Sequence, residues 1–517
     1  MDASPITQRA GEGTPLTRRE RRRAEELAVT QRSRDARLPL PPARDETETR
    51  VLPAVPAAPD AAEAPGTVEM PDAVETPDAV ETPDAVETPD TVEMSDTVVT
   101  PDAADEASIV AAPEPASTGG RAARRRAAAS STSSAAGPGG EVVEVDVVVI
   151  GAGQAGLAAA YHLRRRGLVA VGERGWERAG ASFVVLDDAP QPGGAWQHRW
   201  PTLTMADAHG IHDLPGLPLV VPDPSEPAAM GVPYYFAQYE GEFDLHVQRP
   251  VRVSRVEPGP GGRLLVRSHG VDRPDEPVVW SARGLINASG TWGKPFWPSY
   301  PGRGTFRGRQ LHTHDYRGAG ELADGHVVVV GGGTSAVQLL LELARVTTTT
   351  WVTRRPPAWR DEEFTPEVGR EAVALVEERT RAGLPPQSIV SVTGLPLTDA
   401  YRRGIADGVL VARPVFDRID PDGVTWTEAV PALDGWVDGP SHVEARTILW
   451  CTGFRPSLDH LGPLRLRGGG GGIVMDGTQV VADPRVQLVG YGPSASTVGA
   501  TRAGREAVRN LRRLLGL

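Results

Sequence analysis

Two glycine-rich segments have the composition and spacing of dinucleotide-binding loops. The first, Gly151-Ala152-Gly153-Gln154-Ala155-Gly156, follows an apolar β-branched run, Val143–Ile150, and precedes a helical pattern, Leu157–Arg165. Strand, G-x-G-x-x-G and helix in this order form the dinucleotide fingerprint. The first glycine allows a tight turn, the second lets the backbone approach a pyrophosphate, and the third lets helix and strand pack closely. Free N–H groups at the helix N-terminus would bind the phosphates.

An acidic residue follows the next predicted strand, Ser182–Leu186. A carboxylate there would accept hydrogen bonds from ribose hydroxyls, and we predict this role for Asp187 in preference to Asp188. Gly156 and Asp187 are 31 residues apart, whereas roughly 20 is usual for this fingerprint. We therefore predict that Val169–Ala181 is an inserted polar loop.

A second glycine motif, Gly331-Gly332-Gly333-Thr334-Ser335-Ala336, lies between a buried-strand pattern, Val327–Val330, and a helical run, Val337–Leu343. Alanine in the third glycine position is allowed by the fingerprint. The following predicted strand, Thr349–Val352, ends in Thr353-Arg354-Arg355 and not in an acid. A carboxylate would repel a 2′-phosphate, whereas arginine can bind one bidentately. The second site is therefore predicted to prefer NADPH to NADH; the alternative is that both arginines are ordinary surface residues.

Two unlike sites in one chain suggest two unlike nucleotides. Hydride could pass from a mobile nicotinamide to a resident cofactor, and FAD is the natural resident because its chemistry needs protein only for binding and tuning. Cys451 is the only cysteine, which excludes a dithiol redox pair and an intramolecular disulfide. His209 and His212 either face the flavin or substrate or are ordinary loop histidines. No cysteine or third histidine lies close to them, so no metal site is predicted.

Three further segments resemble motifs of the class B flavin-containing monooxygenases. Gly193-Gly194-Ala195-Trp196 resembles their G-G-x-W segment, and Cys451-Thr452-Gly453-Phe454 resembles their late A-T-G-[FY] segment with Cys for Ala. The run from Phe306 to Tyr316 fits their identifying pattern, F-x-G-x-x-x-H-x-x-x-[FYW], at every fixed position. It stands just before the second glycine motif, as it does in the family.

The resemblance implies an α/β fold of two Rossmann-like dinucleotide-binding domains, with the NADPH domain inserted in the FAD domain. The implied boundaries are a tail at 1–140, the FAD domain at 141–295 and 446–517, and the NADPH domain at 296–445. Thr447–Trp450 and Val486–Val489 are expected to re-enter the FAD domain, which Thr501–Leu515 would close as an amphipathic helix. The residues expected to bind cofactor are Gly151, Gly153, Gln154, Ala155, Gly156, Asp187, Gly194, Trp196, Gly331, Gly333, Thr334, Ser335, Ala336, Arg354, Arg355, Thr452 and Gly453.

The resemblance also implies a reaction, in which NADPH reduces FAD and a flavin C4a-hydroperoxide oxygenates a small molecule. The signature ends in Tyr316-Arg317 and not in the Trp-Pro typical of Baeyer–Villiger enzymes, which favours N- or S-oxygenation over ketone oxygenation. An NADPH oxidoreductase or an H2O2-forming oxidase without oxygen transfer stays open. His312 and Tyr316 are weak catalytic candidates, because in the family the signature mostly couples domain motions and cofactor positions. A departure is Gly490-Tyr491-Gly492-Pro493, which lacks the acid that many such flavoproteins carry there.

Residues 1–140 differ in composition from the body. They hold 15 Arg and 25 Asp plus Glu, a balance of 15 − 25 = −10, while the remaining 377 residues hold 39 basic and 42 acidic side chains, a balance of −3. The tail is Pro-rich, repeats a V-E-T-P-D-A hexapeptide between Val68 and Asp102, and is predicted to be a disordered acidic spacer. The near-neutral body argues against a nucleic-acid binder. No apolar run approaches the ~20 residues of a membrane span, and no secretory pattern begins the chain, so a cytoplasmic enzyme is expected. A homodimer, and an unknown partner for the tail, are left open.

Overall fold

The computed structural model describes residues 142–208, 211–221, 223–361, 366–387, 393–427 and 435–517. The predicted disordered tail with its repeat, and His209, lie outside these residues. Among the described helices, none is long and apolar enough to cross a membrane.

The strands are β1 (Val142–Ile150), β2 (Val169–Ala170), β3 (Ser182–Leu186), β4 (Val251–Pro258), β5 (Leu264–Gly270), β6 (Arg273–Asn287), β7 (Arg309–His312), β8 (Val327–Val330), β9 (Thr349–Thr353), β10 (Trp359–Arg360), β11 (Leu395–Pro396), β12 (Ala412–Pro414), β13 (Arg418–Asp420), β14 (Gly423–Thr425), β15 (His442–Glu444), β16 (Thr447–Trp450), β17 (Met475–Asp476), β18 (Gln479–Val480) and β19 (Val486–Leu488). The α-helices are α1 (Gln154–Arg165), α2 (Ala228–Glu242), α3 (Thr334–Leu343), α4 (Pro366–Arg381), α5 (Asp399–Ala406) and α6 (Thr497–Leu515).

The first sheet has nine strands, and its main path runs β17-β18-β19-β6-β1-β3-β2. β1 lies at its centre and pairs in parallel with β3 and β6. Its second half is a continuous apolar run, Val147–Ile150, buried on both faces, as expected of a central parallel strand. β4 and β5 form an antiparallel hairpin that continues antiparallel into the long β6.

Two helices cover one face of this sheet beside β1. The predicted closing helix is α6, which begins at Thr497, four residues earlier than expected, with Ser496 as N-cap: its Oγ accepts the Gly499 N–H at 3.1 Å. The backbones of α6 and α1 are in close contact at Gly504, because a Cβ there would lie 2.8 Å from the backbone nitrogen of Ala159. The closeness of α1 and α6 holds the first glycine motif, which begins α1, against the C-terminal part of the chain.

The second sheet is fully parallel and has the order β12-β9-β8-β16-β7. The expectation that Thr447–Trp450 re-enters the first domain is therefore wrong, because this strand pairs with β7 and β8 in the second sheet. The chain returns to the first sheet only afterwards, where β19 pairs with β6. Strands buried on both faces of a parallel sheet have the same apolar composition, so the sequence does not tell which sheet receives such a strand.

The segment Val169–Ala181, predicted to be a polar loop, contains an edge strand. Val169 and Ala170 pair in parallel with Ser182 and Phe183, and the rest is turn and a short 3₁₀ helix at Trp176–Arg178. The prediction is wrong for these two residues because two paired residues leave too short an apolar pattern to detect. The remainder accounts for the long spacing between Gly156 and Asp187.

Candidate functional site

The first glycine motif forms a turn that leaves its middle glycine open. Gly151 has φ +95°, and a Cβ there would lie 2.5 Å from the Ala288 carbonyl oxygen, so a side chain is excluded. A Cβ at Gly156 would lie 1.9 Å from the Gly151 carbonyl oxygen. Gly153, in contrast, faces free space, with no atom within 4 Å of a Cβ position, and it caps α1 without a side-chain hydrogen bond. The loop thus leaves the space beside Gly153, at the N-terminus of α1, open.

Asp187 lies directly against this loop. One carboxylate oxygen accepts the Ala152 N–H at 2.6 Å and the other accepts the Ala189 N–H at 3.0 Å. Burial raises the pKa of Asp187, opposed by the Ala152 hydrogen bond and by Arg249. Asp188 is exposed and pairs with Arg252 at 3.3 Å. The geometry therefore favours Asp187 over Asp188 as the ribose ligand.

A buried ion pair, which the sequence did not indicate, lies next to Asp187. Both terminal nitrogens of Arg249 donate to Glu240, at 2.5 and 2.9 Å, and its Nε lies 3.9 Å from an Asp187 oxygen. Burial raises the pKa of Glu240, as it does that of Asp187. Arg249 follows the loop after α2, so only the fold brings it to β3.

The G-G-x-W segment contacts the same loop from the other side. A Cβ at Gly194 would lie 2.9 Å from the Gly153 Cα, and Trp196 is half-buried one turn later. The Gln154 amide donates to the His212 carbonyl at 3.1 Å and to Thr501 Oγ1 at 3.2 Å, while its Oε1 is buried without a hydrogen bond. Beside it opens a cavity of about 310 Å³, lined by Ile211, His212, Asp213, Thr501 and Arg502. His212 is exposed at this cavity and belongs to no metal-binding cluster; no such cluster occurs among the described residues.

The second glycine motif repeats this geometry in the second sheet. Gly331 has φ +143°, and a Cβ there would lie 2.1 Å from the Cys451 carbonyl oxygen. A Cβ at Gly333 would meet nothing within 4 Å, and α3 begins without a side-chain cap. Thr334 and Ser335 are half-buried in its first turn and Ala336 is fully buried. Arg354 and Arg355 are exposed directly after β9, on the side of the sheet where parallel strands bind nucleotides.

Two chain segments connect the two sheets, and they run side by side. Arg455 N–H donates to the Lys294 carbonyl at 2.8 Å and Ser457 N–H to the Gly290 carbonyl at 2.9 Å. Pro295 and Phe454 form an antiparallel bridge between them. Thr452 and Gly453 belong to this crossing: Thr452 Oγ1 donates to the Phe296 carbonyl at 2.5 Å, and the Gly453 carbonyl accepts Phe296 N–H at 2.9 Å. Both residues therefore contact Phe296 of the other crossing segment, beside the second glycine loop.

His312, at the end of β7, holds this crossing in place. Its Nδ1 accepts the His314 N–H at 3.0 Å, so the proton of the neutral ring is on Nε2, which donates to the Gly453 carbonyl at 3.1 Å. The ring is fully buried, and burial lowers its pKa to about 4. Because both ring nitrogens are occupied by backbone groups, the geometry favours a positioning role for His312 over proton donation to a substrate.

Tyr316, the last residue of the signature, packs in the core beside the second sheet. Its ring is buried edge-on against Trp200, with 6.3 Å between ring centroids. Burial and the nearby Glu342 carboxylate raise the pKa of its hydroxyl. Glu342, on α3, also accepts hydrogen bonds from Thr202 Oγ1 at 2.9 Å and from Ala319 N–H at 3.2 Å. These contacts indicate a structural role for Tyr316.

The buried His312 makes the protein less stable in mild acid. An unfolded histidine has a pKa of 6.5 and His312 one of about 4, so between these values the unfolded chain binds more protons. The free energy of unfolding therefore falls as the pH falls from 6.5 to 4, and from pH 7 to 5 His312 contributes about 2 kcal/mol of that loss. We expect His312→Gln to reduce the loss by this amount in urea unfolding at both pH values. Equal losses in the variant and the wild type would contradict the assignment.

The chain's residues fit both predicted cofactors. Each glycine loop offers uncapped helix N–H groups in front of a glycine whose Cβ position is free, which is the requirement for a bound pyrophosphate. The first site has a carboxylate beside the loop and the second has two arginines, so the first suits the ribose of FAD and the second the 2′-phosphate of NADPH.

Comparison with known proteins places the chain in a family. Residues 148–378 match the pyridine nucleotide-disulphide oxidoreductase family. The structure resembles that of a flavin-containing monooxygenase from Stenotrophomonas maltophilia, with 36% sequence identity, a TM-score of 0.57, and coverage of 72% of this chain and 99% of that one. A bacillithiol disulfide reductase from Bacillus cereus, 15% identical with a TM-score of 0.50 over 72% of this chain and 99% of that one, shares the fold.

Among curated proteins, the chain is similar to the uncharacterized oxidoreductase CzcO of Bacillus subtilis, with 26% identity over 200 residues, or 39% of this chain. The chain spans about half the length of that relative, 52%. These matches confirm the resemblance seen in the motifs, the α/β fold, and FAD and NADPH as the expected cofactors. The chain therefore belongs to the flavin-containing monooxygenases, a family of FAD- and NADPH-dependent oxidoreductases.

Proposed function

We propose that the protein is an NADPH-dependent monooxygenase that transfers one oxygen atom of O2 to a nitrogen or sulfur atom of a small molecule. The balance is NADPH, H+, O2 and substrate in, and NADP+, water and oxygenated substrate out. The observation that carries the proposal is the pair of unlike nucleotide loops, with Asp187 beside the first and Arg354 and Arg355 beyond the second. N- or S-oxygenation is favoured over ketone oxygenation by the Tyr316-Arg317 ending of the signature.

In this reaction the side chains bind, position and exclude water. Bound FAD, once reduced by NADPH, supplies the activation of O2. The two glycine loops would hold the two pyrophosphates, and Asp187 and the two arginines would select the nucleotides. His312 fixes the crossing segments between the sheets through Gly453. Trp292, Trp297 and Phe454 place aromatic surface at this crossing, which would help to exclude water there.

Cys451 is not expected to take part. Burial raises the pKa of its thiol to about 12, and the residue is 7% exposed, so it is neither ionised nor accessible at neutral pH. We expect Cys451→Ala to leave the rate of NADPH oxidation unchanged, and the native wild-type thiol to resist a disulfide reagent until the protein is unfolded. Loss of activity in this variant would point instead to thiol chemistry, as in a disulfide reductase of the same fold.

The reaction type is tested by counting oxygen products. The FAD-loaded protein is supplied with NADPH and air, first alone and then with a thioether or a tertiary amine, and NADPH oxidised, H2O2 released and oxygenated product are measured. We expect the sulfoxide or N-oxide to form at the expense of H2O2. Release of one H2O2 per NADPH with every acceptor would identify an oxidase, and lactone or ester formation from ketones would identify a Baeyer–Villiger enzyme.

A further inference from the structure

Arg199, just after the G-G-x-W segment, is a sandwiched cation without a counter-ion. Its guanidinium carbon lies 5.0 Å from the centroid of the Trp292 ring and 5.6 Å from that of Trp196. Its Nε is buried without a hydrogen bond, and among the described residues its side chain has no ion-pair partner. The residues next to Arg199 in the sequence do not predict its contact with the two tryptophan rings.

Trp292 contacts rings from three other segments of the chain. Phe454, of the C-T-G-F segment, stacks on it at 5.0 Å, and His314, of the signature, lies 4.8 Å away. His198 stacks at 5.8 Å with an interplanar angle of 12°. Arg199 therefore lies at the junction of both domains, where the proposed function places flavin, nicotinamide and substrate.

Both acids and cations lie near this junction. Burial lowers the pKa of His198, and His314 and Arg317 lower it further, whereas Asp188 and Asp187 raise it. Burial also lowers the pKa of Arg199. Asp315 is already paired with His314, at 2.6 Å between oxygen and Nδ1. Among the described residues no acid forms an ion pair with Arg199, so its guanidinium is available to an anion.

The buried Nε of Arg199 without a hydrogen bond is unfavourable, and the two indole rings compensate only part of that cost. The planar guanidinium of arginine can also donate two parallel hydrogen bonds to the two oxygens of a carboxylate. We propose that Arg199 binds the carboxylate of the substrate, and that the protein acts on small carboxylic acids with an aromatic or apolar part. The inference rests on the proposed function only for the location of the substrate. A phosphate of bound NADPH is the other source of a suitable anion.

The test compares carboxylic acids with their neutral amides. Dissociation constants for benzoate and benzamide, phenylacetate and phenylacetamide, and indole-3-acetate and indole-3-acetamide are measured on the FAD-loaded protein with NADP+, from tryptophan quenching and flavin difference spectra. We expect at least one acid to bind about tenfold more tightly than its amide. Arg199→Met should abolish this preference, and Arg199→Lys should retain part of it.

Arg303→Met is the matched control, because Arg303 also stacks on a tryptophan, Trp297, at 5.0 Å, but donates to the Pro298 carbonyl at 3.4 Å. This variant should keep the preference for acids. The proposal is overturned if no acid is preferred by the wild type, a result that needs no variant to fold, or if Arg199→Met loses NADP+ affinity and keeps the preference, which would assign the anion to the nucleotide. Binding is measured without turnover, so a failure of oxygen transfer would contradict the proposed function and leave this inference standing.

Discussion

Gly153→Val should yield a folded protein that no longer retains FAD. No atom lies within 4 Å of a Cβ at this position, and its extended backbone, φ −81°, suits valine. The added side chain would fill the space in front of the α1 N-terminus, where the pyrophosphate is expected to bind. The free energy of unfolding should fall by about 1 kcal/mol, because a glycine N-cap is lost. The affinity for FAD should fall at least ~1000-fold, because the pyrophosphate loses both its hydrogen bonds to backbone N–H groups and its favourable interaction with the helix N-terminus.

Gly333→Val is the matched variant in the second loop, with the same open Cβ position and an extended backbone. It should keep a full complement of FAD and lose reduction by NADPH. Flavin absorbance per protein and the rate of anaerobic flavin reduction separate the two outcomes. If Gly153→Val purified with bound FAD, or if Gly333→Val lost FAD, the assignment of one nucleotide to each loop would be wrong.

The second large effect concerns the choice of nicotinamide. Replacing both Arg354 and Arg355 by glutamine should lower kcat/KM for NADPH by about 100-fold, since each charge-assisted hydrogen bond to a phosphate contributes about 1.5–3 kcal/mol. The value for NADH should change by less than about threefold, because NADH carries no 2′-phosphate to bind. Stopped-flow reduction of the flavin by each nucleotide measures this directly.

Arg345→Gln provides the control for the arginine pair. Arg345 is exposed in the same domain, just beyond the far end of α3 from the glycine loop. It should leave both nucleotides unaffected, which separates a specific contact from a general change in charge. An equal decline of kcat/KM for NADPH and for NADH in the double variant would mean that these arginines do not bind the 2′-phosphate.

The features that the sequence predicted well are those encoded locally. A strand, a glycine loop and a helix are consecutive in the chain, so both β1–α1 and β8–α3 were expected, with bounds that differ from the structure by a few residues at most. Asp187 also follows from its place at the end of a strand, although its binding role stays a prediction.

The features that the sequence did not predict depend on contacts between distant segments. β16 was assigned to the wrong sheet because its four residues, Thr447–Trp450, are apolar enough for either. Arg249 and Glu240 reach Asp187 only through the packing of α2. Arg199 and Trp292 are 93 residues apart along the chain, and no periodicity marks two residues that meet across a domain junction.

The paired crossing between the sheets limits how the two nucleotide sites can move relative to one another. A single connecting strand would act as a swivel, free to rotate about its own axis. Two antiparallel segments joined by hydrogen bonds at Lys294 and Gly290, and bridged at Pro295 and Phe454, are expected to bend across their width and to resist torsion. We therefore expect any motion of the second sheet, with the nucleotide that its glycine loop would hold, to follow one arc relative to the first sheet.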